Sequence, residues 1–210
     1  GWADMPLGVD AGRRAMIGGW SEVPDLIRAL PLPGDAVGAH AARVDAVAVG
    51  DSPIAKAWSD SGGAVTLLGG GSDLWGTHDG LALLPMRHGA GGAERGASCV
   101  LEAFDAMHRH AKAGVMLRGG TDAGDAHVTV HAMPDGRLLA AWRGEAGELT
   151  HERVLGIGAF PVGLRLAPIE GGVMVGVTRD DGAWIEHRLD VVAPGGADAL
   201  AAVFVMSHLG

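Results

Sequence analysis

The sequence predicts an all-β protein built from antiparallel strands, and three observations carry that prediction. Short apolar runs, several of them strictly alternating, are separated by turns, and 36 glycines and 10 prolines are scattered over 210 residues without any repeat. Glycine spread between short apolar runs reads as many turns and therefore many strands. From Arg43 onward no segment demands a long helix. Turn signals then recur at intervals of roughly 8–12 residues, the spacing of a sandwich or barrel.

Residues 1–42 are the less regular part. "SEVPDLIRALPLPG" offers Ser21 as the N-cap of one short helix, ended by Pro31 and Pro33. The remainder reads as irregular chain. Because it is apolar at Met16, Ile17, Trp20, Val23, Leu26 and Ile27, the segment is expected to pack as a strap along the domain that follows, over residues 43–210. There, "RVDAVAVG" alternates, and "GAVTLLGG" and "DGLALLPM" are short bounded runs. "GASCVLEAFDAM" fits two periods at once: Val100, Phe104 and Met107 suit a helix, whereas Cys99, Leu101 and Ala103 suit a strand.

"AGVMLR", the loop "GGTDAGD" and the returning run "AHVTVHAM" form a hairpin pattern of β-branched residues around a glycine-rich gap. "PDG" at 134–136 is a turn, since proline fixes φ and Asp-Gly tolerates the left-handed region, and "RLLAAWRG" follows as the third strand. "FPVGLRLAPI", "GGVMVGVTR", "AWIEHRLDVV" and "ALAAVFVMSH" repeat the same grammar around the "EGG" and "DDG" turns. The expected total is roughly ten to twelve strands.

Charge and composition remove several functions. A formal net charge of −9 argues against nucleic acid, which requires clustered Lys and Arg. No apolar run approaches the roughly 18 residues of a membrane span. The single cysteine, Cys99, allows no intrachain disulfide. The chain begins at Gly1 without a charged and apolar leader, so no signal peptide is expected in it. Gly-x-Ser-x-Gly fails in "GGWSEVP", "GGGSDLW" and "GASCVLE", and the run at 69–71 lacks the Lys and Ser/Thr of a phosphate loop.

Four motifs in order, "GGGSDLWGTHDGLAL", "HAKAGVMLRGGTDAGDAHVTVHAMPDG", "GLRLAPIEGGVMVGVTRDDGAWIEH" and "LAAVFVMSH", make the chain resemble a bacterial concanavalin A-like domain of the laminin G and lectin/glucanase type. The resemblance spans about Arg43 to Gly210. It implies a jelly roll of two curved antiparallel sheets, an extracytoplasmic or secreted setting, and carbohydrate as a partner. Members of that family usually carry aromatics where this chain has His110 and His127, and they continue past the "SH" motif through an asparagine, where this chain has Leu209. The N-terminal segment is therefore expected to pack against the sandwich, covering the edge left by the missing final strand or a face.

The resemblance also brings enzymes into view. Glucanase relatives place their carboxylates as Glu-x-Asp-x-x-Glu, a run found around none of Glu102, Glu145, Glu148, Glu152, Glu170 or Glu186. Lyase relatives commonly use tyrosine as the acid, and the chain has no tyrosine. No catalytic residue is assigned. The expected function is a non-catalytic carbohydrate-binding or cell-surface interaction domain. A hydrolase or lyase with an atypical His/Asp/Glu site is the alternative, and a purely structural or oligomerising domain is the third reading.

Candidate ligand-binding residues are Trp142, Arg143, His131, His127 and Trp75, because indole rings stack on sugar faces. With only three phenylalanines in the chain, a core role competes and is favoured for Trp75 and Trp184, whereas Trp142 stays even. His108 with His110, and His127 with His131, would each share a strand face, but no metal-binding set is complete. No cofactor is expected apart from calcium, for which Asp122 and Asp125 are the available loop carboxylates.

Overall fold

A computed structural model describes residues 15–18, 42–59, 64–86, 96–106, 108–179 and 181–208. Among them the chain forms fifteen strands and no helix. One sheet has eight strands in the order β14 (Trp184–Leu189), β13 (Gly172–Thr178), β12 (Val162–Ile169), β7 (Ala97–Phe104), β1 (Ala15–Gly18), β5 (Val65–Gly69), β4 (Ala55–Ser59) and β2 (Ala42–Val44). The other has seven, in the order β11 (His151–Ile157), β10 (Arg137–Arg143), β9 (His127–Ala132), β8 (Lys112–Arg118), β15 (Leu200–Met206), β6 (Leu81–Pro85) and β3 (Val47–Val49). Neighbouring strands pair antiparallel throughout.

Alternation decides what each strand buries. Val115 and Leu117 of β8, Val128 and Val130 of β9, and Leu138 and Ala140 of β10 meet Leu101, Leu164, Leu166, Val173 and Val175 of the other sheet in one apolar core. The architecture is all-β and sandwich-like. The seven-stranded sheet is buried on its second face too, where Met116, Ala202, Phe204, Met206, Leu81 and Leu83 pack with Leu74 from the preceding loop. That double burial explains why "AGVMLR" and "RLLAAWRG" read as continuous apolar runs.

The ambiguous "GASCVLEAFDAM" resolves as strand, with Cys99, Leu101 and Ala103 inward and Ser98, Val100 and Glu102 less buried between them. "RVDAVAVG", expected as one strand, is two: β2 joins the eight-stranded sheet and β3 the seven-stranded one, so Asp45 and Ala46 carry the chain between layers. Three further strands, β1, β4 and β11, lie outside every expected run. β11 is an edge strand exposed along His151–Val154, so it carries no apolar alternation to read. The short helix expected after Ser21 falls outside the described residues.

Two tryptophans expected in the core are on the surface. Trp75 keeps 55% of its surface exposed and Trp184 keeps 41%, because the inter-sheet space is filled by Val, Leu, Ala and Cys99. Trp184 instead lies against the outside of its sheet. A Cβ on Gly163 would come 3.0 Å from its Cη2, and one on Gly176 3.0 Å from its Cε3. The two glycines thus make a flat floor for the indole, and the Arg165 guanidinium sits 4.5 Å over the ring.

Ala15–Gly18 does not lie on an edge. Ala15 pairs with both Leu67 of β5 and Phe104 of β7, so β1 joins the two halves of the eight-stranded sheet. Removing residues 1–18 would leave the facing edges of β5 and β7 with unpaired backbone groups. We expect that truncation to lower the melting temperature by on the order of 10 °C, at about 2–4 °C per kcal/mol for a chain of this size, or to give edge-to-edge dimers in light scattering. A monomeric truncated protein with an unchanged melting temperature would contradict this role of β1.

Candidate functional site

The charged residues that the fold brings together lie at one end of the seven-stranded sheet. Cross-strand register sets Arg118 of β8 opposite His127 of β9, and His127 opposite Arg143 of β10. All three point to the face away from the inter-sheet core. Below them on that face come Met116, Thr129 and Ala141, then Gly114, His131 and Leu139. A Cβ on Gly114 would stand 2.6 Å from the His131 Cα. The missing side chain leaves room for Phe204, one strand further, to meet the His131 ring edge-on at 6.0 Å.

Over the Arg118–His127–Arg143 row sits Asp79, delivered by the loop ahead of β6. Arg143 grips it bidentately, Nη2 to Oδ1 at 2.8 Å and Nη1 to Oδ2 at 3.0 Å. Arg118 Nη1 donates to Oδ2, and His127 Nδ1 lies 3.4 Å from the same oxygen. The four side chains have no solvent-accessible surface. Burial by itself would raise the Asp79 pKa. The Arg143 and Arg118 guanidiniums, with the His127 ring beside them, outweigh it and hold the carboxyl well below the usual range. Burial lowers the His127 pKa, and the two guanidiniums add to this against the pull of Asp79, so the ring is uncharged at neutral pH.

Further guanidinium N–H groups reach backbone carbonyls of three loops, and Arg143 Nη2 also donates to Thr150 Oγ1 at 3.0 Å. Arg118 Nη2 donates to Asp122 O. Arg143 donates to Asp125 O at 3.1 Å, Glu148 O at 2.9 Å and Gly76 O at 3.0 Å. Gly76 O also accepts from Thr150 N at 2.9 Å and Thr150 Oγ1 at 3.1 Å. Asp79 N reaches Ala123 O at 2.9 Å and Gly147 N reaches Gly124 O at 2.8 Å. The loops at 70–80, 119–126 and 144–150 are thereby knitted into one surface by a single buried carboxylate and its two arginines.

This geometry sorts the sequence candidates. Arg143, His127 and His131 are buried without exposure, and Arg143 and His127 are direct neighbours in the hub. His131 Nδ1 meets Thr129 Oγ1 at 3.2 Å, while its Nε2 has no hydrogen-bond partner among the described residues. Trp142 points to the opposite face, packs partly against the inter-sheet core and stacks on His151 at 5.7 Å. Trp75, next to the clamped Gly76, stands out into solvent. Asp79 and Arg118 belong to no expected site. Asp122 and Asp125 close their own turn, with Asp125 Oδ2 accepting from Asp122 N at 2.8 Å. No group of three or more His, Cys, Asp or Glu among the described residues is arranged to hold a metal ion.

Two expectations follow from the hub. Asp79→Asn leaves two buried guanidiniums without their anion, and breaking a buried pair in this way costs roughly 3–5 kcal/mol; urea unfolding should show that loss, and a loss below about 1 kcal/mol would contradict the hub. Burial also lowers the His131 pKa well below its ordinary value, helped by Lys112 and His127. The unfolded chain then takes up the proton first, near its ordinary value of about 6.5. Stability present above that pH is lost as pH falls below it, toward the depressed folded value, at about 1.4 kcal/mol per pH unit for each such ring. Urea unfolding at pH 7.5 and 5.0 should show a drop of at least about 2 kcal/mol, reduced in His131→Asn; an identical drop in that variant would rule the ring out as its source.

No helix among the described residues is long and apolar enough to cross a membrane. No family model matches the chain, and neither a curated protein nor a solved structure matches it.

Proposed function

We propose that this chain is a non-catalytic carbohydrate-binding domain of the concanavalin A-like jelly-roll type, acting outside the cytoplasm, with Trp75 as its sugar-stacking residue. The observation that carries this reading is the display of Trp75: 55% of its surface is exposed on a loop whose backbone is fixed on both sides. Leu74 is buried in the apolar cluster before it, and the Gly76 carbonyl after it accepts three hydrogen bonds. A rigid exposed indole offers a sugar face apolar contact without an ordering cost on binding.

Trp184 and Trp142 are less suited. Trp184 is held between its glycine floor and Arg165, and Trp142 is engaged by His151 and by Arg153 at 5.9 Å. Around Trp75 the same surface supplies Thr77, His78 and Leu149, the last 65% exposed and adjacent to the Thr150 that binds Gly76. The order of the four sequence motifs supports the jelly-roll assignment. A hydrolase or lyase would need an acid and a base open to substrate, and the Asp79–His127 cluster is sealed, so it lends that alternative no support.

Glycan-array screening followed by titration calorimetry tests the proposal. The wild-type chain should bind at least one glycan, and Trp75→Ala should weaken it tenfold or more, about 1.4 kcal/mol, with an unchanged melting temperature. Binding that survives Trp75→Ala would overturn the site. Polysaccharide cleavage abolished by one His or Glu substitution would overturn the non-catalytic assignment.

A further inference from the structure

A second polar cluster lies where β15 ends beside the start of β8, and none of it belongs to the hub. Met206 pairs with Lys112 across these strands, so His208 falls next to the turn that precedes β8. The His108 and His208 rings stack at 4.6 Å between centroids and 18° between planes. His110 stands 5.4 Å from each of them. His208 is also the one described non-glycine residue with positive φ, at 59°. That conformation is unfavourable for a residue with a Cβ and persists where surrounding contacts hold it.

The charges facing the three rings come from every element packed there. Arg109 of the turn donates from Nε to His110 Nε2 at 3.1 Å. Lys112 of β8 donates to the His110 carbonyl at 3.3 Å and to Asp73 Oδ1 at 2.6 Å. Asp73, from the 70–80 loop, places its other oxygen 3.2 Å from His208 Nδ1. With the rings uncharged, the cluster holds two cations and one anion. One proton on His208 faces Asp73, but a second proton, on His108 or His110, adds a cation in ring contact with the first, and no second carboxylate is paired with the rings among the described residues. Burial and the charges of Arg109, His208, His108 and Lys112 already lower the His110 pKa.

Asp73 links this cluster to the Trp75 loop. Its Oδ1 accepts from Leu74 N at 2.6 Å and its carbonyl from Gly80 N at 2.7 Å. We propose that His108, His110 and His208 form an acid-opened latch, which holds residues 207–208 after β15 and the Asp73 end of the Trp75 loop in place while at most one ring is charged, and releases both when a second ring takes a proton. The latch acts on the loop that presents the proposed sugar-binding residue, but its test needs no ligand and stands whichever way glycan binding falls.

Amide hydrogen exchange of the full chain, followed residue by residue by NMR at pH 7.5 and 5.0 and corrected for intrinsic rates, reads the latch. Amides of Leu74, Gly80 and His208 should exchange tenfold or more faster at pH 5.0, and by a larger factor than Val115 and Val130, which report global opening. In His208→Ala the Leu74 and Gly80 amides should be fast at both pH values. Exchange at those amides that changes no more than at Val115 and Val130, or a wild-type pH response retained in His208→Ala, would overturn the proposal.

Discussion

The arrangement of this molecule's loops depends on one buried carboxylate. Asp79 takes charge-assisted hydrogen bonds from Arg118 and Arg143 inside the protein, where unpaired charges would be very costly. The pairing sets two cations against one anion, and the excess is spread over backbone carbonyls of the loops at 70–80, 119–126 and 144–150. Those carbonyls are where the loops become ordered. A buried ion pair is a poor source of net stability, because desolvation offsets much of its attraction. Its effect here is positional: N–H groups of the two guanidiniums bind carbonyls in all three glycine-rich loops, which thereby share a single arrangement.

The same loop is held at a second point. Asp73, near its start, is bound to Lys112 and close to His208, while Asp79, at its end, is bound to the arginines. Trp75 lies between these anchors, with Leu74 turned inward beside it. Both anchors stand on the outer face of the seven-stranded sheet, Lys112 and Arg118 at opposite ends of β8. The strand therefore serves as a ruler between them. The two anchors differ in their response to acid. The Asp79 carboxylate is kept ionised by fixed positive charges, whereas the Asp73 side of the loop borders the three histidine rings of the proposed latch.

Much of the strand pattern was legible because burial imposed it. "AHVTVHAM" with "PDG" and "RLLAAWRG" gives β9, the turn and β10 directly, since both the β-branched runs and the turn chemistry act locally. β11 was illegible because an exposed edge strand has no buried face to write alternation, and β1 because four residues are too few. The tryptophan placements misled, since a shortage of phenylalanine does not create a need for large core residues when valine, leucine and alanine already fill the space. The hub was missed because Asp79 lies 39 and 64 residues from its arginines. One signal could have found it. An arginine ending a strand that is apolar on both faces, as in "AGVMLR" and "LLAAWR", must itself be buried and therefore paired, and "HDGLALL" supplies an acid next to an equally apolar strand.

The central claim is that the Asp79 hub fixes the surface on which Trp75 is displayed. Backbone ¹⁵N relaxation at Trp75 and Gly76 in Asp79→Asn, compared with the wild-type chain under conditions where both remain folded, tests it most directly. The account predicts rigid order parameters near 0.85 in the wild type and values below about 0.6 in the variant, with β8 and β9 unchanged. Order at Trp75 and Gly76 that survives the loss of the carboxylate would contradict it.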